Sequence, residues 1–131
     1  MKSNTIAEIQ ISYSHKTLKK FRIKIKNSDD AYKSFINYWS EDLIELQEEF
    51  KVLLLNNSNE VLGVHSLSKG SSKGTVVDLK LLFAIALKSC ATAIIVSHNH
   101  PSGNLKASMS DLELTKKIKE CGELLDVKLL D

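Results

Sequence analysis

Apolar and polar positions alternate twice near the start of the chain. Ile9, Ile11 and Tyr13 point one way with Gln10 and Ser12 the other; after a polar stretch at 14–17, Phe21, Ile23 and Ile25 alternate with Arg22, Lys24 and Lys26. Two period-two runs joined by a short turn predict a β-hairpin with one wet face. The basic side of its second arm has two readings, a patch that touches phosphates or a solvated face whose lysines guard an edge. Ser28-Asp29-Asp30 then supplies a cap and first-turn acids for a helix whose apolar stripe is Ala31, Phe35, Ile36 and Trp39. A short helical or turn segment over about 40–47 leads to Glu48 and Glu49, which stand before a strongly apolar strand at 50–55.

Asn56-Asn57-Ser58-Asn59 is a turn by composition, and 61–66 returns as the second arm of a hairpin. Lys69-Gly70-Ser71-Ser72-Lys73-Gly74-Thr75 is a flexible loop. Its lysine precedes the second glycine and no strand feeds straight into it, so the spacing is wrong for a phosphate loop. Asp78 can cap a helix to about residue 89. Leu79, Leu82, Phe83, Ile85, Ala86 and Leu87 make that helix apolar nearly all round, which predicts burial between layers. A buried strand at 91–97 follows, then a loop, then a helix over about 110–122 with Leu114, Ile118, Cys121 and Leu125 on one stripe. A last strand begins at Val127. Strands and helices mix around one sheet, so the fold class is α/β (α+β), a β-sheet packed between helices with an N-terminal hairpin and helix extension.

Composition narrows the function classes. The chain has 131 residues, one domain's worth, of which 43% are hydrophobic and 26% charged. Eighteen basic against 16 acidic residues leave a net charge of +2, and Arg22 is the only arginine, a weak surplus for a dedicated nucleic-acid binder. The apolar run near 81–87 is far too short for a bilayer span and the start lacks a leader pattern, so the expected setting is cytoplasmic, with no membrane partner. Cys90 and Cys121 are too few for a disulfide framework or a four-thiolate zinc site, and Cys121 lies in a core stripe.

The chemistry concentrates in His98-Asn99-His100-Pro101-Ser102-Gly103, directly after the buried strand. In extended chain, residues two apart point the same way, so His98 and His100 can converge, and Pro101 and Gly103 then turn the chain aside. Ser108-Met109-Ser110-Asp111 opens the next helix, where a carboxylate can swing back over the loop. Two His and one Asp make a plausible three-ligand zinc site with a fourth position for water. Ser108-x-x-Asp111 is also a capping box; Ser110-x-x-Glu113 offers an overlapping one that would free Asp111. His15, in a turn, and His65, in a hairpin arm, read as ordinary surface or satisfied histidines.

The joint pattern H-x-H-P-x-G-x₄-S-x-x-D resembles the JAMM motif of the JAB/MPN superfamily, with its cytidine-deaminase-like fold, and the run SHNHPSGN is most similar to the RadC-like branch. The resemblance covers about 47–131. It implies that His98, His100 and Asp111 hold Zn2+, and that Ser108 helps polarise a substrate carbonyl. It also implies a general-base glutamate two residues before the aromatic that opens the core strand, here Glu48 before Phe50; a solvated strand-end acid is the plainer reading of the same residue. The implied activity is zinc-dependent hydrolysis of a peptide or isopeptide-like amide, without a nucleophilic side chain.

Three features depart from the family. The DNA-contacting helix-hairpin-helix segment of RadC proteins has no counterpart in 1–46, which reads as an extension packed on the 47–131 domain; the nominal DNA-repair link therefore has no support here. Asp78-Leu79-Lys80 stands where a Pro-Arg-Glu-like run is usual. The chain stops at Asp131, where the family continues with a histidine and further strands, so a truncated domain is expected. Two other functions compete with the enzyme: a metal-binding, catalytically idle scaffold, and a nucleic-acid accessory protein resting only on the Arg22/Lys24/Lys26 face. Substrate and oligomeric state are not encoded in any recognisable way.

Overall fold

A computed structural model describes residues 6–10, 12, 22–36, 49–69, 77–98 and 109–130. Among these the chain forms α1 (Ser28–Ile36), β1 (Glu49–Leu55), β2 (Val61–Lys69), α2 (Leu79–Lys88), β3 (Ala93–His98), α3 (Met109–Leu125) and β4 (Lys128–Leu129). The four strands make one sheet in the order β2-β1-β3-β4. β1 pairs antiparallel with both neighbours, and β3 runs parallel to β4 across the α3 crossover. The mixed α/β architecture is as expected.

β1 is buried along its whole length, and the alternation of a strand divides its residues between two apolar layers. Phe50, Val52 and Leu54 join Ile94 beneath α2 and α3, where Leu82, Phe83, Ala86 and Ile118 complete the cluster. Leu53 and Leu55 join Ala93 and Ile95 on the other face, covered by Ala31 and Phe35 of α1. The β1–β2 turn is built by Asn56, whose Oδ1 accepts from the amides of Ser58 and Glu60 at 2.9 and 3.0 Å, with Asn59 left-handed at φ 58°.

Helix ends follow their chemistry. Asp78 caps α2, its carboxylate accepting from the amides of Lys80 and Leu81 at 2.9 and 3.3 Å. α2 closes in a Schellman arrangement: Cys90 is left-handed at φ 57°, its amide donates to Leu87, and Ala91 donates back to Ala86 at 2.9 Å. At α1 the cap is Asn27, one residue before the expected Ser28; its Oδ1 accepts from the Asp30 amide at 2.9 Å.

Three expectations need correction. α2 is not buried all round: Leu82, Phe83 and Ala86 face the sheet, whereas Leu81 and Leu87 are 41% and 50% exposed. One sheet face needs only one stripe of a helix, and among the described residues no second layer covers α2. The arm at 9–13 is not a strand over its described residues, and Ile9 is 86% exposed. The arm at 21–25 contributes a single bridge, Lys24 to Glu60, so it meets the start of β2. Alternation specifies which side of a strand is apolar, but a strand needs a partner edge. The segment 40–47, Trp39 and the glycine-rich loop at 70–76 lie outside the described residues.

Candidate metal centre

β3 is buried over its first three residues and half-buried from Val96 to its last residue, His98. Ile94 and Val96 precede it on the α3 face of the sheet, and the same parity carries the His98 side chain to that face. α3 begins at Met109, which puts Asp111 in its first turn. There the partial positive charge of the helix N-terminus favours a carboxylate, and the Thr115 hydroxyl, donating to the Asp111 carbonyl at 2.9 Å, ties down the turn. Strand end and helix start converge: His98 Nδ1 lies 3.5 Å from Asp111 Oδ1, with side chains 16% and 25% exposed.

That separation bears on what the pair can hold. A hydrogen bond from an imidazole N–H to a carboxylate runs about 2.7–3.2 Å. Two donors on one tetrahedral zinc, at about 2.0–2.1 Å for nitrogen and about 2.0–2.2 Å for oxygen, stand roughly 3.3–3.5 Å apart. At 3.5 Å the His98–Asp111 pair has a spacing compatible with two donors to one zinc and equally with an ion pair between the carboxylate and a protonated imidazole. His100, Ser108 and Glu48 lie outside the described residues. Among the described residues no group of three His, Cys, Asp or Glu side chains is assembled.

The two adjacent glutamates are separated by sheet parity. Glu49 is 2% exposed and belongs to the odd-numbered positions of β1, the α1 side, with its Oε1 4.0 Å from Lys51 Nζ. It is on the wrong face to serve His98. Phe50, on the right face, is the direct cross-strand partner of His98, and the two rings stand 5.9 Å apart, tilted by 47°. Sequence reading treated Phe50 only as the opening aromatic of a strand; its neighbour across the sheet depends on a register that one strand's pattern does not specify.

The second capping box expected at Ser110 does not form. Because α3 starts at Met109, Ser110 lies inside the first turn and is not its cap. Asp111 meets His98 without the second capping box. Of the other candidates, His65 is exposed on β2, Cys121 packs partly buried against the core and Cys90 is exposed, while His15 lies outside the described residues.

The model of the RadC-like JAB domain matches residues 25–131. The chain belongs to the RadC-like JAB domain family. A UPF0758 protein of Flavobacterium johnsoniae is 56% identical over 84 residues, covering 64% of this chain and 37% of its own length. UPF0758 proteins of Staphylococcus aureus and Alkaliphilus metalliredigens are 39% and 37% identical over 111 and 109 residues, covering 84% and 82% of this chain and 49% and 45% of themselves. The RadC-like chain thus spans less than half the length of these curated relatives. No helix among its described residues is long and apolar enough to cross a membrane.

Proposed function

We propose that this RadC-like domain is a zinc-dependent hydrolase acting on a peptide or isopeptide-like amide, with His98, His100 and Asp111 holding the metal. The observation that supports this reading is the convergence of His98 and Asp111, with Nδ1 3.5 Å from Oδ1, a spacing that two donors to one tetrahedral ion can adopt. Zinc in such a site supplies a Lewis acid for the scissile carbonyl and a water acidic enough to ionise near neutrality. Glu48 then takes the proton from the attacking water and delivers it to the departing amine. Ser108 donates its hydroxyl to the carbonyl oxygen as negative charge builds there. The amide's carbon gains the water oxygen, its C–N bond breaks, and the amine leaves neutral.

Family membership supports the hydrolase reading at the level of the domain. Parity supports Glu48 over Glu49, because Glu49 belongs to the opposite face from His98. The test is zinc content by elemental mass spectrometry on the wild-type chain and three variants. About one zinc per chain is expected, lost in His98→Ala and Asp111→Ala and kept in Glu48→Gln, which should lose only hydrolysis. A wild-type chain that takes up no zinc, even when it is added back, overturns the metal centre. Zinc loss in Glu48→Gln would make that residue a ligand and remove the base from the mechanism.

A further inference from the structure

We propose that Phe50 is a positioning residue for the metal centre: its ring, packed against the His98 imidazole, sets the orientation that brings Nδ1 to Asp111. The inference rests on the metal reading above and deepens it. Phe50 and His98 are direct partners in the antiparallel β1–β3 register, so their side chains leave the sheet on the same face. The ring centroids are 5.9 Å apart at a 47° tilt. Phe50 is 4% exposed and held in the same apolar cluster as Val52, Leu54 and Leu82, so its ring is a fixed wall.

Such a wall is needed because of the torsion it controls. The bond between Cβ and the imidazole is an sp³–sp² torsion with a broad, roughly two-fold preference, so the chain's own stereochemistry leaves the direction of Nδ1 undecided. His98 is also the last residue of β3, and among the described residues its strand neighbour is β1 alone. Phe50 and Asp111 bracket the imidazole from two directions, β1 supplying an apolar plane and α3 a carboxylate at 3.5 Å. Preorganised ligands bind metal without first giving up side-chain freedom. Neighbours that orient ligands typically change metal affinity about 10–100-fold.

The experiment is zinc affinity by competition with a chromogenic chelator, with the visible spectrum of the cobalt(II)-loaded chain as a report on ligand geometry. Phe50→Leu, which keeps an apolar side chain but removes the plane, is expected to weaken zinc about 10-fold and to alter the cobalt spectrum. Phe50→Tyr keeps the ring and should stay within about twofold of wild type. Leu54→Val is the control, since it trims the same face of β1 opposite Ile94, four residues before His98. It should lower the urea midpoint like Phe50→Leu while leaving zinc affinity unchanged. Wild-type affinity in Phe50→Leu, or an equal loss in Leu54→Val, overturns the inference while the metal centre stands. A wild-type chain that binds neither zinc nor cobalt overturns both.

Discussion

Gly122 makes the strongest quantitative prediction about the fold. It lies inside α3, where alanine is ordinarily preferred to glycine by about 1 kcal/mol. The structure reverses that preference. A Cβ built at Gly122 overlaps the carbonyl oxygen of Val127 and sits 3.4 Å from its carbonyl carbon. The obstacle is backbone and cannot rotate away. It is the return of the chain after α3, where Asp126 is left-handed at φ 56° and the Val127 amide donates to Gly122 O at 2.8 Å. Relieving the overlap means moving the Val127 peptide. That forfeits a hydrogen bond worth about 1 kcal/mol and draws Val127, 1% exposed, out of a site where burial contributes about 1.5–3 kcal/mol.

Against the helix-propensity gain, Gly122→Ala should destabilise the chain by about 2 kcal/mol, lowering the urea midpoint by roughly 1 M. The metal centre should be spared. Asp111 lies eleven residues back along α3, roughly 16 Å away at about 1.5 Å per residue. Equilibrium unfolding in urea, followed by far-ultraviolet circular dichroism, measures the first effect, and zinc content of the folded variant the second. An alanine variant as stable as wild type would refute the close approach of 127 to 122, and with it the return that starts β4.

Other outcomes follow from the same coordinates. Cys90→Gly should stabilise by about 0.5–1 kcal/mol, because an exposed residue at φ 57° gives up left-handed strain while the Schellman bonds stay in place; a lower urea midpoint would contradict the left-handed cap. Glu49→Gln removes the charge that faces buried Lys51 at 4.0 Å and should destabilise by about 1 kcal/mol or more, with zinc content unchanged; zinc loss would contradict the placement of Glu49 on the face opposite His98. Zinc at about 100 times its dissociation constant should raise the unfolding free energy by about 2.7 kcal/mol, an increment absent in Asp111→Ala; equal increments in both chains would locate the zinc elsewhere.

Much of the fold was legible because it depends on local chemistry. Asp78 caps α2 because a short carboxylate before an apolar run has amides to accept from, and Asn56-Asn57-Ser58-Asn59 turns because its side chains can bond its own backbone. What was not legible depends on what lies across from a residue. The run at 9–13 alternates like a strand, yet alternation supplies no partner, and Ile9 stands in solvent. The apolar circumference of α2 read as two buried faces, yet the sheet offers only one surface, so Leu81 and Leu87 remain outside.

The candidate site divides along the same line. That His98 closes a strand and Asp111 opens a helix can be read from each segment alone; that they stand 3.5 Å apart requires the loop between to bring α3 back over β3. The choice between Glu48 and Glu49 is more instructive, since the residues are adjacent and chemically identical. Composition, charge and propensity cannot separate them, but a strand gives alternate residues to opposite layers. Phe50 pairs with His98, so even positions of β1 share the metal face. Glu49 turns to the opposite side instead, where it lies 4.0 Å from Lys51 of the same strand. Under the proposed mechanism it is this parity that separates the two carboxylates. Phe50 is where the β1–β3 register reaches the proposed site, its ring 5.9 Å from that of His98.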